Sequence, residues 1–267
     1  MKYPGVCRTV FALMVLAQSQ VTFAHSIGLD PPEPLLGEAF DIVISGEWPT
    51  NCVPPAADSI ALSSDSDGIE VVNTEPVYVA ACNSETAPYH VRLSSDLLAG
   101  MDLPAANSPV PMRFFSGSPG AARLLAFSVS EIVAGPNLLI VPRSGWWWGG
   151  SAFSGNGANM DNNGTTLVIG LFSFDQAGTP VWSLVTGPLT GRIFHGELDN
   201  FRDGQQWGLP ADPEISIESM EQFHLFFFNA CQARSWRAAQ SDGMLTVTPM
   251  DLDYFFLTEP GCTPPAS

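Results

Sequence analysis

Three consecutive tryptophans, Trp146 to Trp148, are the residues of this chain whose type and spacing most clearly suggest chemistry. An indole buries on the order of 200 Å² and anchors a core, or it stacks on the apolar face of a sugar ring when polar side chains lie beside it. Neighbouring side chains on a strand point to opposite faces. We therefore expect Trp146, Trp148 and Trp182 to lie in a core and Trp147 to face solvent, a ligand or a partner.

Three other residues complete the predicted binding site. Trp207 lies in a polar loop, and Trp236 lies between two arginines whose guanidinium groups could equally stack on its ring. Asn156 lies in the turn after the tryptophans and offers an amide to ligand hydroxyls. The predicted ligand-binding residues are Trp147, Trp207, Trp236 and Asn156. Their predicted partner is a glycan or a protein surface.

An alternative site lies in residues 195–203. His195, Glu197 and Asp199 would share one face of a strand, with Asp203 following, and such groups can hold a metal ion or form a catalytic pair. A solvated strand edge is the simpler interpretation, and no hydrolase nucleophile motif accompanies these residues. We predict no catalytic residue, no metal and no cofactor. A secreted hydrolase and a purely structural envelope or adhesion component are the alternatives to a binding protein.

The charge balance excludes several classes of partner. The chain has 27 Asp and Glu against 10 Lys and Arg, a net charge of −17. Such a chain repels nucleic acid and anionic lipid. A hydrophobic content of 45% with 17 Phe argues against disorder, and 24 Gly with 23 Pro favours turns over long helices. The composition therefore indicates an acidic, folded, turn-rich protein.

Residues 1–24 are predicted to be a signal peptide. Lys2 and Arg8 form a positive start, an apolar run covers residues 9–17, and Ala24 supplies a small residue at the cleavage site. The run is shorter than the roughly 20 residues that span a bilayer, although an N-terminal anchor is the alternative. We expect a secreted or periplasmic protein without membrane insertion after cleavage.

Four cysteines follow the signal peptide: Cys52, Cys82, Cys231 and Cys262. An even number in an exported chain favours disulfides, and three pairings are possible. Local pairing, Cys52–Cys82 and Cys231–Cys262, gives each half one bridge and fits two domains. A zinc site is disfavoured because no Cys-x-x-Cys pair is present.

Short alternating segments separated by Gly and Pro predict an all-β chain of two domains. Residues 25–133 read as a β-sandwich and residues 137–267 as a Trp-rich antiparallel β-barrel or meander, with a linker at 134–136. Predicted strands of the first domain are 40–44, 59–62, 68–72, 77–81, 89–93, 110–115 and 124–129. Those of the second are 138–141, 145–148, 157–160, 166–174, 180–186, 192–198, 214–219, 222–228, 232–238, 244–248 and 254–257.

Residues 142–187 carry a recognisable order of motifs. These are Gly145-Trp-Trp-Trp148, Ser154-Gly-Asn-Gly157, an apolar strand, Asp175-Gln-Ala-Gly178 and Pro180-Val-Trp182. This stretch resembles a β-rich module found in many uncharacterised exported bacterial proteins, for which no activity is agreed. It departs from that pattern where Gly149 follows the aromatic residues. Residues 30–131 are similar to the immunoglobulin-like N-terminal domains of such proteins through Gly46-Glu-Trp48-Pro and Cys52.

Overall fold

The computed structural model describes residues 25–65, 67–74, 82, 85–117, 122–135, 140–174, 177–202, 216–241, 244–255 and 262. The described residues are all-β, as the sequence predicted. The predicted signal peptide lies outside them. None of their helices is long and apolar enough to cross a membrane. The helical segments are three 3₁₀ turns, Ala57–Ser59, Ser95–Leu98 and Ser151–Phe153.

Seven strands precede the predicted linker and form two sheets. They are β1 (His25–Asp30), β2 (Asp41–Pro49), β3 (Ile60–Asp65), β4 (Gly68–Asn73), β5 (Thr86–Ser94), β6 (Pro109–Ser116) and β7 (Arg123–Glu131). One sheet has the order β1-β2-β5 and the other β3-β4-β6-β7, in which β4 and β6 run parallel. Alternate side chains of both sheets, such as Ile42 and Ile44 from one and Ile69 and Met112 from the other, share one buried core.

Eight further strands form a closed antiparallel barrel, which the sequence also predicted. They are β8 (Gly145–Trp148), β9 (Gly157–Asn162), β10 (Thr166–Phe174), β11 (Pro180–Thr190), β12 (Ile193–Arg202), β13 (Ser216–Asn229), β14 (Gln232–Ser241) and β15 (Met244–Tyr254). Each strand pairs with the next along the chain, and β15 pairs with β8. The barrel is therefore an up-and-down meander closed on itself.

Some strand boundaries differ from those predicted. β1 was not predicted, and residues 216–219 and 222–228, predicted as parts of two strands, belong to one long strand, β13. Residues 140 and 141 are not in a strand, and the predicted strand 77–81 lies outside the described residues. Two turns of the sequence, Asp161-Asn-Asn-Gly164 and Asp175-Gln-Ala-Gly178, end in a glycine at a position where a hairpin needs a positive φ. Both glycines do adopt left-handed backbone angles, with φ of +105° at Gly164 and +79° at Gly178.

Both cysteine pairs expected from local spacing lie at disulfide distance. We call the part of the chain formed by β1 to β7 the first unit. Cys52 pairs with Cys82 in this unit, and Cys231 pairs with Cys262 beside the barrel. Cys231 and Cys262 are fully buried in the barrel core. The second bridge therefore holds Cys262 in the barrel core. Disulfides of this kind are typical of proteins in oxidising compartments.

The two units share an apolar interface. Phe127 and Val129 of β7 pack against the outer face of β13 and β14, where Phe226 and Trp236 are buried. His224 lies in the same layer, and its ring meets the ring of Phe127 edge-on at 5.3 Å between centroids. The aromatic residues on this side of the barrel therefore form an interface core.

One carboxylate is buried at the edge of this interface. Glu131, at the end of β7, is fully buried, and its Oε1 lies 3.6 Å from Nε of Arg192. Neither of its carboxylate oxygens accepts a hydrogen bond from the described residues. Burial raises the pKa of Glu131 to about 7, although the Arg192 cation acts in the opposite direction. The folded chain thus holds this proton more tightly than the unfolded chain does.

Replacing Glu131 should change how stability depends on pH. A carboxyl with a raised pKa stabilises the fold at low pH, and this contribution is lost as the pH rises from 4.5 through about 7. The loss is at most about 3 kcal/mol. We expect the melting temperature of Glu131→Gln, relative to the parent chain, to increase between pH 5 and pH 8. A difference that stays constant over this range would show that Glu131 is ionised in the fold throughout.

Candidate functional site

Trp147 points into the barrel. It pairs with Ala158 on β9 and with Tyr254 on β15, and only 1% of it is exposed. Its ring lies edge-on to Phe227 and to Tyr254, each at 5.9 Å between centroids. Its Nε1 donates a hydrogen bond to the carbonyl of Arg143 at 3.0 Å, so the polar atom is satisfied. Trp147 is a core residue at one end of the barrel.

Trp146 and Trp148 consequently point outward, and the orientation that we predicted for the three tryptophans is wrong. Trp146 is 48% exposed and Trp148 is 44% exposed. Strand alternation allows either arrangement, and the cross-strand neighbours decide between them. Ala158 leaves room inside the barrel for one indole, whereas Trp146 and Trp148 lie opposite Asn159 and Gly157 on the outer face.

The outward tryptophans belong to a larger group on one wall of the barrel. We call Trp146, Trp148, Phe172 and Trp182 the outer aromatic cluster. Phe172 lies 5.6 Å from Trp146 and 5.9 Å from Trp182 between ring centroids, so three rings from β8, β10 and β11 touch in sequence. Trp182 is 55% exposed, which corrects its predicted place in the core.

Two glycines shape the surface around this cluster. A Cβ at Gly157 would lie 2.6 Å from Cζ of Phe172, so the ring of Phe172 leans over bare backbone there. Gly170 precedes Phe172 by two residues on the same outward face, and a Cβ there would meet no atom within 4 Å. In register, Gly170 lies between Asn159 and Leu184. The aromatic rings therefore border a shallow depression whose floor is backbone.

A groove of about 370 Å³ adjoins the cluster on its other side. It is lined by Trp146, Trp147, Trp148, Gly155, Asn156, Phe172 and Phe255. Asn156, one of the predicted ligand-binding residues, lies at its edge, where its Nδ2 donates to the carbonyl of Phe153 at 3.2 Å. Of the predicted set, Asn156 is thus the residue that the structure places beside exposed aromatic rings.

Trp236 does not lie on an exposed surface. It is 3% exposed and packs in the interface with the first unit. Arg234 and Arg237 do not stack on it and instead form ion pairs with Asp251 and Glu221. Its predicted exposure was wrong because β7 covers this face of the barrel. Trp207 lies outside the described residues.

The residues of the alternative enzyme site do not converge. His195 and Glu197 are exposed on the outer face of β12, and Asp199 follows after a bulge in the pairing with β13. His195 lies opposite His224, with 6.4 Å between ring centroids. No group of three or more His, Cys, Asp or Glu side chains within the described part of the chain is placed to hold a metal ion. Asp203 lies outside that part.

His25 is enclosed by aromatic rings in the first unit. Its Nδ1 lies 3.0 Å from the hydroxyl of Tyr89, and Trp48 and Phe114 contact its ring. Burial, with a smaller contribution from Arg123, lowers the pKa of His25 to about 4. This histidine is therefore a neutral packing residue at physiological pH.

Part of the exposed cluster could have been found from the sequence. Leu167, Ile169 and Leu171 alternate in β10 and are all buried in the barrel, which places Phe172 on the opposite face. No such contrast exists in β11, because Ser183 is the buried neighbour of Trp182. In β11 the polar Ser183 faces the interior and the apolar Trp182 faces outward, which is the reverse of the usual alternation of apolar residues inside and polar residues outside.

Comparison of the chain with protein-family models, curated protein sequences and solved structures found no match in any of the three.

The orientation of β8 can be tested by stability. Trp147→Ala should lower the free energy of unfolding by about 3–5 kcal/mol, since it removes a fully buried ring. Trp146→Ala and Trp182→Ala should each change it by less than about 1 kcal/mol. Urea denaturation of the three variants measures this difference. A larger loss for Trp146→Ala than for Trp147→Ala would reverse the assignment of inner and outer faces.

Proposed function

We propose that this protein is an exported, non-catalytic binding protein whose outer aromatic cluster binds neutral saccharides. The observation that carries the proposal is a row of three touching rings beside the open floor at Gly170. Trp146 and Trp182 are about half exposed, and the partly buried ring of Phe172 lies between them. Removing large aromatic side chains from water lowers the free energy, so a wall of exposed rings indicates a surface that binds a ligand or a partner.

A saccharide fits the chemistry of this wall. Sugar rings present apolar C–H faces that stack on indole and phenyl rings, and their hydroxyls need polar groups at the edge. Asn159 and Asp199 supply such groups on the outer face at the level of Gly170. The net charge of −17 disfavours acidic glycans. Neutral sugars are therefore the favoured class.

A protein partner is the competing occupant of the same wall. Protein interfaces of stable complexes bury about 800 Å² per partner and favour continuous, well-packed surfaces. The depression at Gly170 and the groove beside Trp148 interrupt the aromatic wall. These features favour a small, ridged ligand over a flat protein surface.

The remaining features concern the role of the first unit and the location of the protein. We infer that the first unit is an immunoglobulin-like sandwich that acts as a spacer or adaptor, and that the protein is secreted or periplasmic. Support comes from two sheets around one core and from the two cysteine bridges. Two of the motifs that resemble the exported bacterial module, Gly145–Trp148 and Pro180–Trp182, lie on β8 and β11, which carry tryptophans of the outer aromatic cluster. This arrangement supports our proposal that the chain is related to that module.

Removing a ring of the cluster should weaken sugar binding. We expect Trp182→Ala to reduce affinity for β-1,4-linked glucose or N-acetylglucosamine oligomers by about tenfold or more, since one stacking contact is worth about 0.5–1.5 kcal/mol beyond the area it buries. Titration followed by tryptophan fluorescence and calorimetry measures this.

Phe228→Ala is the matched control, because Phe228 is an exposed ring on β13, away from the cluster. It should leave the affinity unchanged. Absence of a response to any neutral oligosaccharide, together with unchanged behaviour of Trp182→Ala, would remove the saccharide proposal and leave the protein-partner alternative.

Filling the depression should block binding without harming the fold. Gly170 has no left-handed backbone angle and open space above it, so Gly170→Val should preserve stability or raise it by about 0.5–1 kcal/mol. The added methyl groups would occupy the floor that a sugar ring needs. We expect affinity for the same oligomers to fall at least tenfold, while Val168→Thr on the same strand leaves it unchanged. Undiminished binding by Gly170→Val would move the site away from this depression.

A further inference from the structure

The barrel has a second candidate site, in its interior. One end of the interior is filled by Trp147, Phe227 and Tyr254. The other end encloses a cavity of about 290 Å³. This volume lies near the lower limit of the roughly 300–1,000 Å³ of small-molecule sites, and barrel mouths are a common place for such sites.

The cavity is lined by inward side chains of five strands, by the β8–β9 connection and by Phe172, which also belongs to the outer aromatic cluster. Leu171, Phe223, Met250 and Phe153 give it apolar walls, and Ser183, Ser235 and Thr248 add hydroxyls. Ser183 donates a hydrogen bond to Oδ1 of Asn200 at 2.5 Å, and Ser235 donates to the carbonyl of Met250 at 2.9 Å. The lining thus combines an apolar body with a few placed polar groups.

An ion pair borders the cavity at its mouth. Arg237 donates from Nη2 to Oε1 of Glu221 at 2.8 Å and from Nε to the other carboxylate oxygen. The Glu221 side chain is 15% exposed and that of Arg237 is 37% exposed. Withdrawing two charges from water is costly, and well-packed apolar residues often stabilise a fold more than such a pair does. Its position beside an unfilled space suggests a role in recognition.

We propose that this cavity binds a small neutral molecule that has an apolar body and at least one hydroxyl group. The Glu221–Arg237 pair has no net charge. Its carboxylate can accept a hydrogen bond from a ligand hydroxyl, and the remaining guanidinium N–H groups can donate one to it. A ligand carboxylate would be attracted by the Arg237 cation but repelled by the Glu221 carboxylate beside it. The strongly acidic chain adds to that repulsion. The site therefore discriminates against anions.

Two probes of matched shape test the charge preference. In calorimetric titrations, 2-naphthylmethanol should bind the full chain at least tenfold more tightly than 2-naphthoate. Glu221→Gln removes the negative charge and leaves the Arg237 cation, so it should reverse this order and favour 2-naphthoate. A purely structural ion pair would not produce such a reversal. Circular dichroism before titration confirms that the variant is folded.

A plugged cavity tests the location. Ala239 lines the mouth directly opposite Glu221, whereas Gln240 beside it is exposed on the outer face. Ala239→Phe should abolish 2-naphthylmethanol binding, and Gln240→Phe should not. Trp182→Ala and Gly170→Val should leave this probe unaffected, while Ala239→Phe should leave oligosaccharide binding unaffected. Loss of one activity is thus distinguishable from loss of the other.

Three outcomes would overturn the proposal. These are no measurable binding of 2-naphthylmethanol at millimolar concentration, tighter binding of 2-naphthoate by the parent chain, and undiminished binding by Ala239→Phe.

Discussion

The pairing of β15 with β8 is the constraint on which the rest of the barrel depends. It is short, joining Tyr254 to Trp147 and Asp253 to Trp148, with one more backbone hydrogen bond from Phe255 to the carbonyl of Trp146. This pairing removes the last free edge of the meander and fixes the register of the three tryptophans. A slip of one residue would bring two indoles into an interior already filled by Phe227 and Tyr254. The buried Cys231–Cys262 bridge lies next to this pairing, since the Tyr254 N–H donates to the carbonyl of Cys231.

The outer faces of the barrel have different surroundings, although they carry similar residues. On β13 and β14, Phe226 and Trp236 are covered by Phe127 and Val129 of β7. On β8 and β11, the rings of Trp146 and Trp182 remain exposed, with the partly buried ring of Phe172 on β10 between them. The first unit therefore covers one aromatic wall of the barrel and leaves the other exposed.

The interface between the two units also has two buried titratable groups whose pKa values shift in opposite directions. Burial, aided by His195, lowers the pKa of His224 to about 3, and burial raises that of Glu131. As the pH falls, His224 lowers the free energy of unfolding while Glu131 raises it, so the two contributions partly cancel.

The sequence predicted most of the described strands, the barrel and the local cysteine pairs, because each depends on short-range patterns, but it missed β1. Leu167, Ile169 and Leu171 alternate, Gly164 turns the chain, and local spacing pairs the cysteines. The orientation of β8 could not be predicted, since three identical side chains offer no contrast between faces. Contacts with Ala158 and Tyr254, made through strand pairing, settle it. The burial of Trp236 could not be predicted, because the strand that covers it belongs to the other unit. Trp182 was assigned to the core because a large indole usually anchors one, but its level of the barrel interior is occupied by the polar Ser183 and the cavity.

The same wall of the barrel can carry two sites because a strand presents successive side chains to opposite faces. In β10, Leu171 and Ser173 line the cavity from the interior, and Phe172 of the outer aromatic cluster also borders it. In β11, Trp182 is outside and Ser183 is inside. Each pair of neighbours thus serves an aromatic surface and a mixed interior. The segment from Phe153 to Gly157 closes this arrangement, since Asn156 lines both the outer groove and the cavity. Asn156 and Phe172 thus form the thin layer between the two spaces, while Gly170 on the outer face and Ala239 in the interior each border one of them.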